Sequence, residues 1–328
     1  MMEVKMISLL GGEISVYGLA MILGCAAAGV WLILSASKKG MKKSRAAVYG
    51  LLCVVLGLLL GRAVYCAVRF DRMFFDEMGD FAGLFPFFDF RVGSVNIGGV
   101  LVGCILAAPL AAKICGGKAA NDLDSFVFPG LALFTLERLL EPLAGHGYGV
   151  YLYDSPMAAF PFALETYMEE YALAVCFLEA ALALLLIVAL LSLQKKCSKS
   201  GTLFLCGLTL FCASQIMPES LRHDDVLFIF IFARVTQIGY ALMLAGAMIA
   251  ALIPAVKKGL PKKNAVIDFL LLLLGAGVCI GAEFALDKTN LSHGLIYTVM
   301  IAALAFMAAL ILRAIFRMSG SSQRKDAV

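Results

Sequence analysis

The chain has 328 residues, of which 62% are hydrophobic and only 15% are charged, and its mean hydropathy is +0.94. A water-soluble globule of this size needs many more charged residues on its surface, so the composition excludes a soluble globular protein. It also excludes a disordered chain. The net charge of +4 is too small and too scattered to indicate a nucleic-acid-binding surface.

Long apolar stretches predict about nine transmembrane helices, because about 20 apolar residues span a bilayer as a helix. The predicted spans are residues 14–36, 46–68, 95–114, 125–145, 171–193, 202–217, 226–253, 266–285 and 295–316. The runs are continuous and too long for strands of alternating polarity, which favours helices over a barrel. The predicted fold class is all-α, a polytopic membrane helix bundle.

The basic residues between the predicted spans indicate the orientation of the chain. They cluster in alternate loops, at Lys38, Lys39, Lys42, Lys43 and Arg45, then Lys113 and Lys118, then Lys195, Lys196 and Lys199, then Lys257, Lys258, Lys262 and Lys263. Cytoplasmic loops of membrane proteins carry such an excess of Lys and Arg. The pattern predicts an N-terminus outside the membrane and a C-terminus in the cytoplasm.

The loop that contains Pro254 and Pro261 is the one seam in the predicted bundle. It divides the chain into a body of about seven spans at residues 1–253 and a cytoplasmic linker at residues 254–265. A C-terminal appendage of two helices follows at residues 266–318, and a cytoplasmic tail at residues 319–328.

Ionisable residues inside the predicted spans lie at similar depths. At a rise of about 1.5 Å per residue, Arg62 and Arg138 lie roughly 9 Å below the outer surface, and Glu179 and Arg234 roughly 12 Å. The layer comprises four arginines and four glutamates, namely Arg62, Arg138, Arg222, Arg234, Glu137, Glu141, Glu179 and Glu219. Charges are costly inside a bilayer, so they mark a functional site or a paired structural site.

The one-sided charge layer bears on the class of function. A channel would distribute polar groups along its length, and a secondary transporter would place them at the midplane. Structural ion pairs, such as Arg138 with Glu141 at i, i+3, are the alternative for individual residues. Because a planar guanidinium matches a phosphodiester, recognition of a lipid headgroup at the outer leaflet is the favoured hypothesis.

Several segments, in order along residues 1 to about 253, resemble motifs of the bacterial prolipoprotein diacylglyceryl transferases. They are Tyr17-Gly18, Gly61-Arg62-Ala63-Val64-Tyr65, Asp122 with Pro129, the run from Glu137 to Gly149, Glu179, the run from Gln215 to Arg222, and Gln237.

The chain also departs from the family. A family histidine is absent from Asn96-Ile97-Gly98-Gly99, two signature asparagines are replaced by Glu141 and Ala144, and the first arginine of the late motif is Gln215. The last two predicted spans exceed the family's seven.

The resemblance implies a bacterial plasma-membrane enzyme that transfers a diacylglyceryl group from phosphatidylglycerol to the lipobox cysteine of a preprolipoprotein. Residues 1–253 would form the transferase domain. We expect Arg138 to stabilise the leaving phosphate, and Glu141 or His146 to act as the base that activates the thiol. The candidate substrate-binding residues are Tyr17, Arg62, Tyr65, Gly98, Gly99, Glu179, Glu219, Arg222, Arg234 and Gln237.

The expected partners are phosphatidylglycerol, preprolipoprotein signal segments and membrane lipid, with neither a cofactor nor a metal, because three scattered histidines make no cluster. Gly98 and Gly99 have close helix packing as an alternative role. The replaced motif positions leave open a catalytically silent member that binds phospholipid or signal segments. A membrane transporter is the third alternative.

Overall fold

The computed structural model describes residues 6–9, 12–38, 41–75, 79–81, 83–89, 94–153, 155–166, 170–224, 227–229 and 233–320. The helices in this part of the chain are α1 (Val16–Lys38), α2 (Lys43–Val68), α3 (Phe70–Phe74), α4 (Ile97–Cys115), α5 (Ala119–Leu140), α6 (Val175–Leu193), α7 (Thr202–Leu221), α8 (Val235–Lys257), α9 (Lys262–Lys288) and α10 (His293–Gly320). Three antiparallel hairpins pair β1 (Met6–Leu9) with β2 (Gly12–Ser15), β3 (Ala163–Glu165) with β4 (Tyr171–Leu173), and β5 (Phe228–Ile229) with β6 (Ala233–Arg234).

Eight of the described helices, α1, α2, α4 and α6 to α10, are long and apolar enough to cross a membrane. They confirm the predicted all-α polytopic membrane fold. Helix α5, at the fourth predicted span, is absent from this set although its 22 residues would be long enough. Its sequence includes Asp122, Asp124, Glu137 and Arg138, which reduce its mean hydropathy. Composition alone therefore supports eight spans in the described residues, one fewer than the nine predicted.

Two predicted spans begin too early. Residues 171–173 form β4, and α6 begins only at Val175. Similarly, β5 and β6 occupy part of the segment before α8, which begins at Val235. Apolar residues continue through these short strands into the helices, so hydropathy does not mark where each helix starts. The predicted starts at residues 171 and 226 are wrong for this reason.

The chain divides into two compact units. The first comprises Met1–Ala20, Leu131–Asp224 and Tyr240–Val328, and the second comprises Met21–Gly130 and Asp225–Gly239. In the first unit, α7 packs against α6 and α10, and α10 packs against α9. Buried Asp268 on α9 accepts hydrogen bonds from Arg313 and, at 3.3 Å, from Nη1 of Arg317, both on α10. This carboxylate holds the two C-terminal helices together.

In the second unit, the backbones of α2 and α4 approach closely at glycines. A methyl group placed on Gly103 would lie 2.5 Å from the carbonyl carbon and oxygen of Leu56. A methyl group on Gly99 would lie 2.5 Å from the carbonyl oxygen of Leu60. Membrane helices pack largely through such close contacts between small residues, because lipid offers no hydrophobic gain for their association. The glycines of α4 therefore set its distance from α2.

We expect the substitution Gly103→Ala to separate α2 from α4, because the added methyl group would meet backbone atoms that cannot rotate away. The free energy of unfolding should fall by about 1–3 kcal/mol, as for other overpacked interiors. The thermal unfolding midpoint in detergent should therefore be lower. Gly29→Ala in α1 is the matched control, since no atom of the described residues lies within 4 Å of its added methyl group. Equal midpoints for the two variants would contradict this account of the packing.

Candidate functional site

Four charged side chains meet inside the first unit where α5, α6 and α7 end or begin. Arg138 lies in the last turn of α5, Glu141 in the 3-10 turn that follows, Glu179 near the start of α6, and Arg222 directly after α7. They are 7%, 7%, 2% and 8% exposed, respectively. Ionised groups at this level of burial are stable only when they are paired.

Arg222 is the centre of this cluster. Its Nη1 donates to Glu179 Oε2 at 2.9 Å and to Glu141 Oε2 at 3.2 Å, and its Nη2 donates to the other oxygen of Glu141. Its Nε donates to Asp224 Oδ1 at 3.0 Å, and Nη2 also donates to Asp224 Oδ2. A guanidinium has five N–H groups, so carboxylates engage the whole donor set of Arg222.

The backbone around Arg222 is fixed by a neighbouring glycine-rich segment. Gly149 and Arg222 form an antiparallel bridge, and the Gly147 N–H donates to Asp224 Oδ2 at 2.7 Å. Gly147 has a φ of +92°, and a Cβ atom there would lie 2.7 Å from Cys176 Cβ. Only glycine combines that backbone conformation with such a close approach. The segment after α5 is thereby tied to the residues after α7.

Arg138 is bound less completely than Arg222. Its Nη1 donates to Glu141 Oε2 at 2.8 Å, which forms the i, i+3 pair anticipated from the sequence. Its Nε lies 3.2 Å from both Glu137 Oε2 and Glu179 Oε2, but among the described residues this buried atom has no hydrogen-bond partner. Its Cζ lies 4.9 Å from the centre of the Phe134 ring. To the described residues, Arg138 therefore makes one hydrogen bond, from Nη1 to Glu141, and its contacts with Glu137 and Glu179 are ion pairs.

Glu137 and Asp224 belong to the cluster, although neither was among the site residues predicted from the sequence. The hydroxyl of Tyr17, a predicted site residue, donates to Glu137 Oε1 at 3.3 Å. Glu137 Oε2 is buried and has no hydrogen-bond partner in the described part of the chain. Glu137 adjoins Arg138 in sequence, and its acidic side chain within an apolar helix was the available signal. Asp224 gave no such signal, because it follows α7 in a polar segment.

Carboxylates outnumber guanidinium groups among the described members of this cluster. Glu137, Glu141, Glu179 and Asp224 surround only Arg138 and Arg222. A buried excess of acidic groups is unfavourable unless it takes up a proton or a cationic partner. The arrangement can therefore hold a guanidinium in a fixed position, and it can also accept a proton.

Two other predicted site residues of the first unit lie beside the cluster. His146 is half-buried in the turn after Glu141, and within the described part of the chain its imidazole makes no hydrogen bond or ion pair. Glu219 is buried in the last turn of α7, where its carbonyl oxygen accepts the N–H of Arg222 at 3.3 Å. The roles assigned to both from the sequence stay predictions.

Arg62 belongs to the second unit, where it is completely buried and organises the described backbone between α3 and α4. Its guanidinium donates to four carbonyl oxygens at 2.7–3.2 Å, those of Pro86, Phe87, Asp89 and Ser94. Its Cζ also lies 5.5 Å from the centre of the ring of Tyr65, another predicted site residue. These contacts give Arg62 a structural task in its own unit.

The remaining predicted site residues also lie in the second unit. Gly98 and Gly99 are buried at the start of α4, where Gly99 meets the backbone of α2 and so has the packing role considered as its alternative. Arg234 lies in β6, with its Cζ 5.5 Å from the centre of the Phe228 ring. Gln237 is half-buried in the first turn of α8.

Comparison with known families accounts for most of the chain. Residues 5–253 match the family model of prolipoprotein diacylglyceryl transferase. The chain belongs to this family. The match confirms the resemblance found in the motifs and supports a transferase of the diacylglyceryl transferase kind in a multi-pass membrane protein. No curated protein matches the chain.

The matched segment of this transferase family member includes Arg138, Glu141, Glu179, Arg222 and the rest of the cluster. Helices α9 and α10 follow it, because α9 begins at Lys262. The ion cluster is thus formed by the part of the chain that carries the family resemblance.

We expect Arg222→Ala to destabilise the protein strongly, because it would leave three carboxylates without their shared counter-charge. Removing one partner of a buried ion pair costs about 3–5 kcal/mol. The control is Arg313→Ala, since Arg313 is about half exposed and Arg317 would still contact Asp268; its cost should not exceed about 1 kcal/mol. Thermal unfolding in detergent measures both, and equal losses would contradict a central role for Arg222.

Proposed function

We propose that this protein transfers a diacylglyceryl group from phosphatidylglycerol to the lipobox cysteine of preprolipoproteins, at the outer leaflet of a bacterial plasma membrane. The observation that carries the proposal is the incompletely engaged Arg138, buried within the family-matched region and held by carboxylates. The orientation, with the N-terminus outside and the C-terminus in the cytoplasm, rests on the basic residues in alternate loops. It requires α5 to cross the membrane together with the eight apolar helices.

In the proposed reaction, the thiolate sulfur of the substrate cysteine attacks the glycerol carbon that bears the phosphodiester. A carbon–sulfur bond forms, the carbon–oxygen bond to the phosphate breaks, and the electron pair leaves with glycerol phosphate. Negative charge grows on the departing phosphate, so a fixed guanidinium beside it lowers the barrier. Arg138 has N–H donors for this task, whereas carboxylates engage the five donors of Arg222.

The base that removes the thiol proton is proposed from the same contacts. Glu141 accepts hydrogen bonds from both arginines, which stabilise its ionised form and make it a poor proton acceptor. Glu137 accepts one hydrogen bond, from Tyr17, and its Oε2 lies 3.2 Å from Nε of Arg138 but has no hydrogen-bond partner among the described residues, so Glu137 is held by fewer hydrogen bonds than Glu141. We therefore favour Glu137 as the base and give Glu141 a holding role. His146, on the turn after Glu141, is the second candidate.

A catalytically silent member that binds phospholipid or a signal segment is the second candidate function. Two observations favour it: the family histidine is absent from Asn96-Ile97-Gly98-Gly99, and the cluster has more carboxylates than guanidinium groups. In such a protein, Arg138 would hold the phosphate of a bound lipid without subsequent transfer. The two candidates differ in whether a lipidated cysteine is formed.

We expect Arg138→Ala to reduce the rate of transfer about 100-fold or more. Enzymes that lose one preorganised hydrogen-bond donor to a developing negative charge show losses of this size. The assay uses full-length protein in vesicles of labelled phosphatidylglycerol with a lipobox peptide. Vesicles with labelled phosphatidylethanolamine test the donor, and Arg313→Ala should retain wild-type activity. Complementation of cells depleted of their own transferase provides the test in vivo.

The outcomes separate the two candidates. Label on the peptide that depends on Arg138 supports the transferase. Binding of phosphatidylglycerol without labelled peptide or growth indicates the silent member. Transfer that persists in Arg138→Ala would remove the assigned role of that arginine.

A further inference from the structure

An acidic side chain of α9 reaches the end of α7. The Ser220 hydroxyl donates a hydrogen bond to Glu283 Oε1. Ser220 is 6% exposed and lies two residues before Arg222, whereas Glu283 comes from beyond residue 253, where the family match ends. The contact therefore joins an added helix to the segment that carries the central arginine of the cluster.

The position of Glu283 within α9 is unusual for an acidic residue. It lies in the apolar candidate span Lys262–Leu286, between Ala282 and Phe284. A carboxyl group inside a span is costly, so it usually marks a functional or paired site. The other acid discussed on α9, Asp268, already has an evident task, because it binds Arg313 and Arg317 of α10. Glu283 instead faces α7.

The last turn of α7 needs support from outside the helix. Pro218 lies inside this turn and has no N–H, so the carbonyl of the preceding turn lacks its usual helical partner there. Arg222, which follows directly, has to present its guanidinium to Glu141, Glu179 and Asp224 together. A small shift of this turn would move all three contacts.

We propose that Glu283 is a positioning residue that fixes the last turn of α7, and through it the guanidinium of Arg222. The added helices α9 and α10 would then act on the ion cluster without contributing a catalytic group. The effect on catalysis rests on the proposed transferase function, whereas the effect on the Arg222 segment does not.

The test compares hydrogen exchange and transfer in full-length protein in vesicles. We expect Glu283→Ala to accelerate amide exchange in residues 219–224 by about threefold to tenfold. This range corresponds to the free energy that an interhelical hydrogen bond contributes in a membrane. Ser220→Ala should have the same effect, and the double variant should add little to either single change. Glu283→Gln retains an acceptor oxygen and should restore wild-type exchange.

Leu272→Ala is the matched control, because Leu272 is 3% exposed on the same helix but makes no polar contact with α7. It should reduce overall stability without a selective change in residues 219–224. In the transfer assay, Glu283→Ala should lower kcat about tenfold while KM for phosphatidylglycerol changes little, because the effect is on placement of the cluster.

Each outcome has a defined meaning. Faster amide exchange confined to residues 219–224 in Glu283→Ala, together with wild-type exchange in Glu283→Gln, supports the positioning role. Unchanged exchange at residues 219–224, equal effects of Leu272→Ala, or failure of glutamine to rescue would overturn it. If the wild-type protein transfers no lipid, the proposed function fails, and hydrogen exchange alone still decides the role of Glu283.

Discussion

Pairing of buried charge is the constraint on which the candidate site depends. Arg222 is 8% exposed and distributes its donors among Glu141, Glu179 and Asp224, which come from three separate parts of the chain. Loss of Arg222 would leave these buried carboxylates short of positive charge in a medium that solvates ions poorly. The end of α5, the start of α6 and the end of α7 are therefore held together by one guanidinium, and the placement of Arg138 follows from that arrangement.

Residues of one type perform different tasks in this protein. Arg222 is engaged by carboxylates, and Arg62 donates to backbone carbonyls within its own unit. Arg138 has a buried Nε without a hydrogen-bond partner among the described residues. A transferase that expels a phosphate needs donors that are fixed before the charge develops. In the proposed reaction, the carboxylates around Arg138 would serve this requirement, because they hold it in place while its donor set is incompletely used.

Hydropathy predicted the fold class and the approximate positions of eight candidate spans. Polar groups are energetically costly in lipid, so membrane-spanning segments are recognisable as long apolar stretches of the sequence. Hydropathy could not predict the starts of α6 and α8, since mostly apolar residues lead into both helices. It predicted a fourth span at residues 125–145, but the charged residues of α5 keep that helix out of the eight apolar candidates. The sequence singled out the eight charges of the predicted layer, but neither Asp224 nor Glu283 was included. Asp224 follows α7 in a polar segment, and Ser220, the partner of Glu283, is 63 residues away along the chain.

The sequence by itself determined that this is a multi-pass helical membrane protein, and its ordered motifs identified the transferase family. It also identified Arg138, Glu141, Glu179 and Arg222 as costly charges that need partners. Only the tertiary structure decided which carboxylate meets which guanidinium, and that Glu137 and Asp224 join them. The physical reason is that desolvation acts on each residue wherever it is buried, whereas a hydrogen bond depends on the directions and distances that packed helices impose.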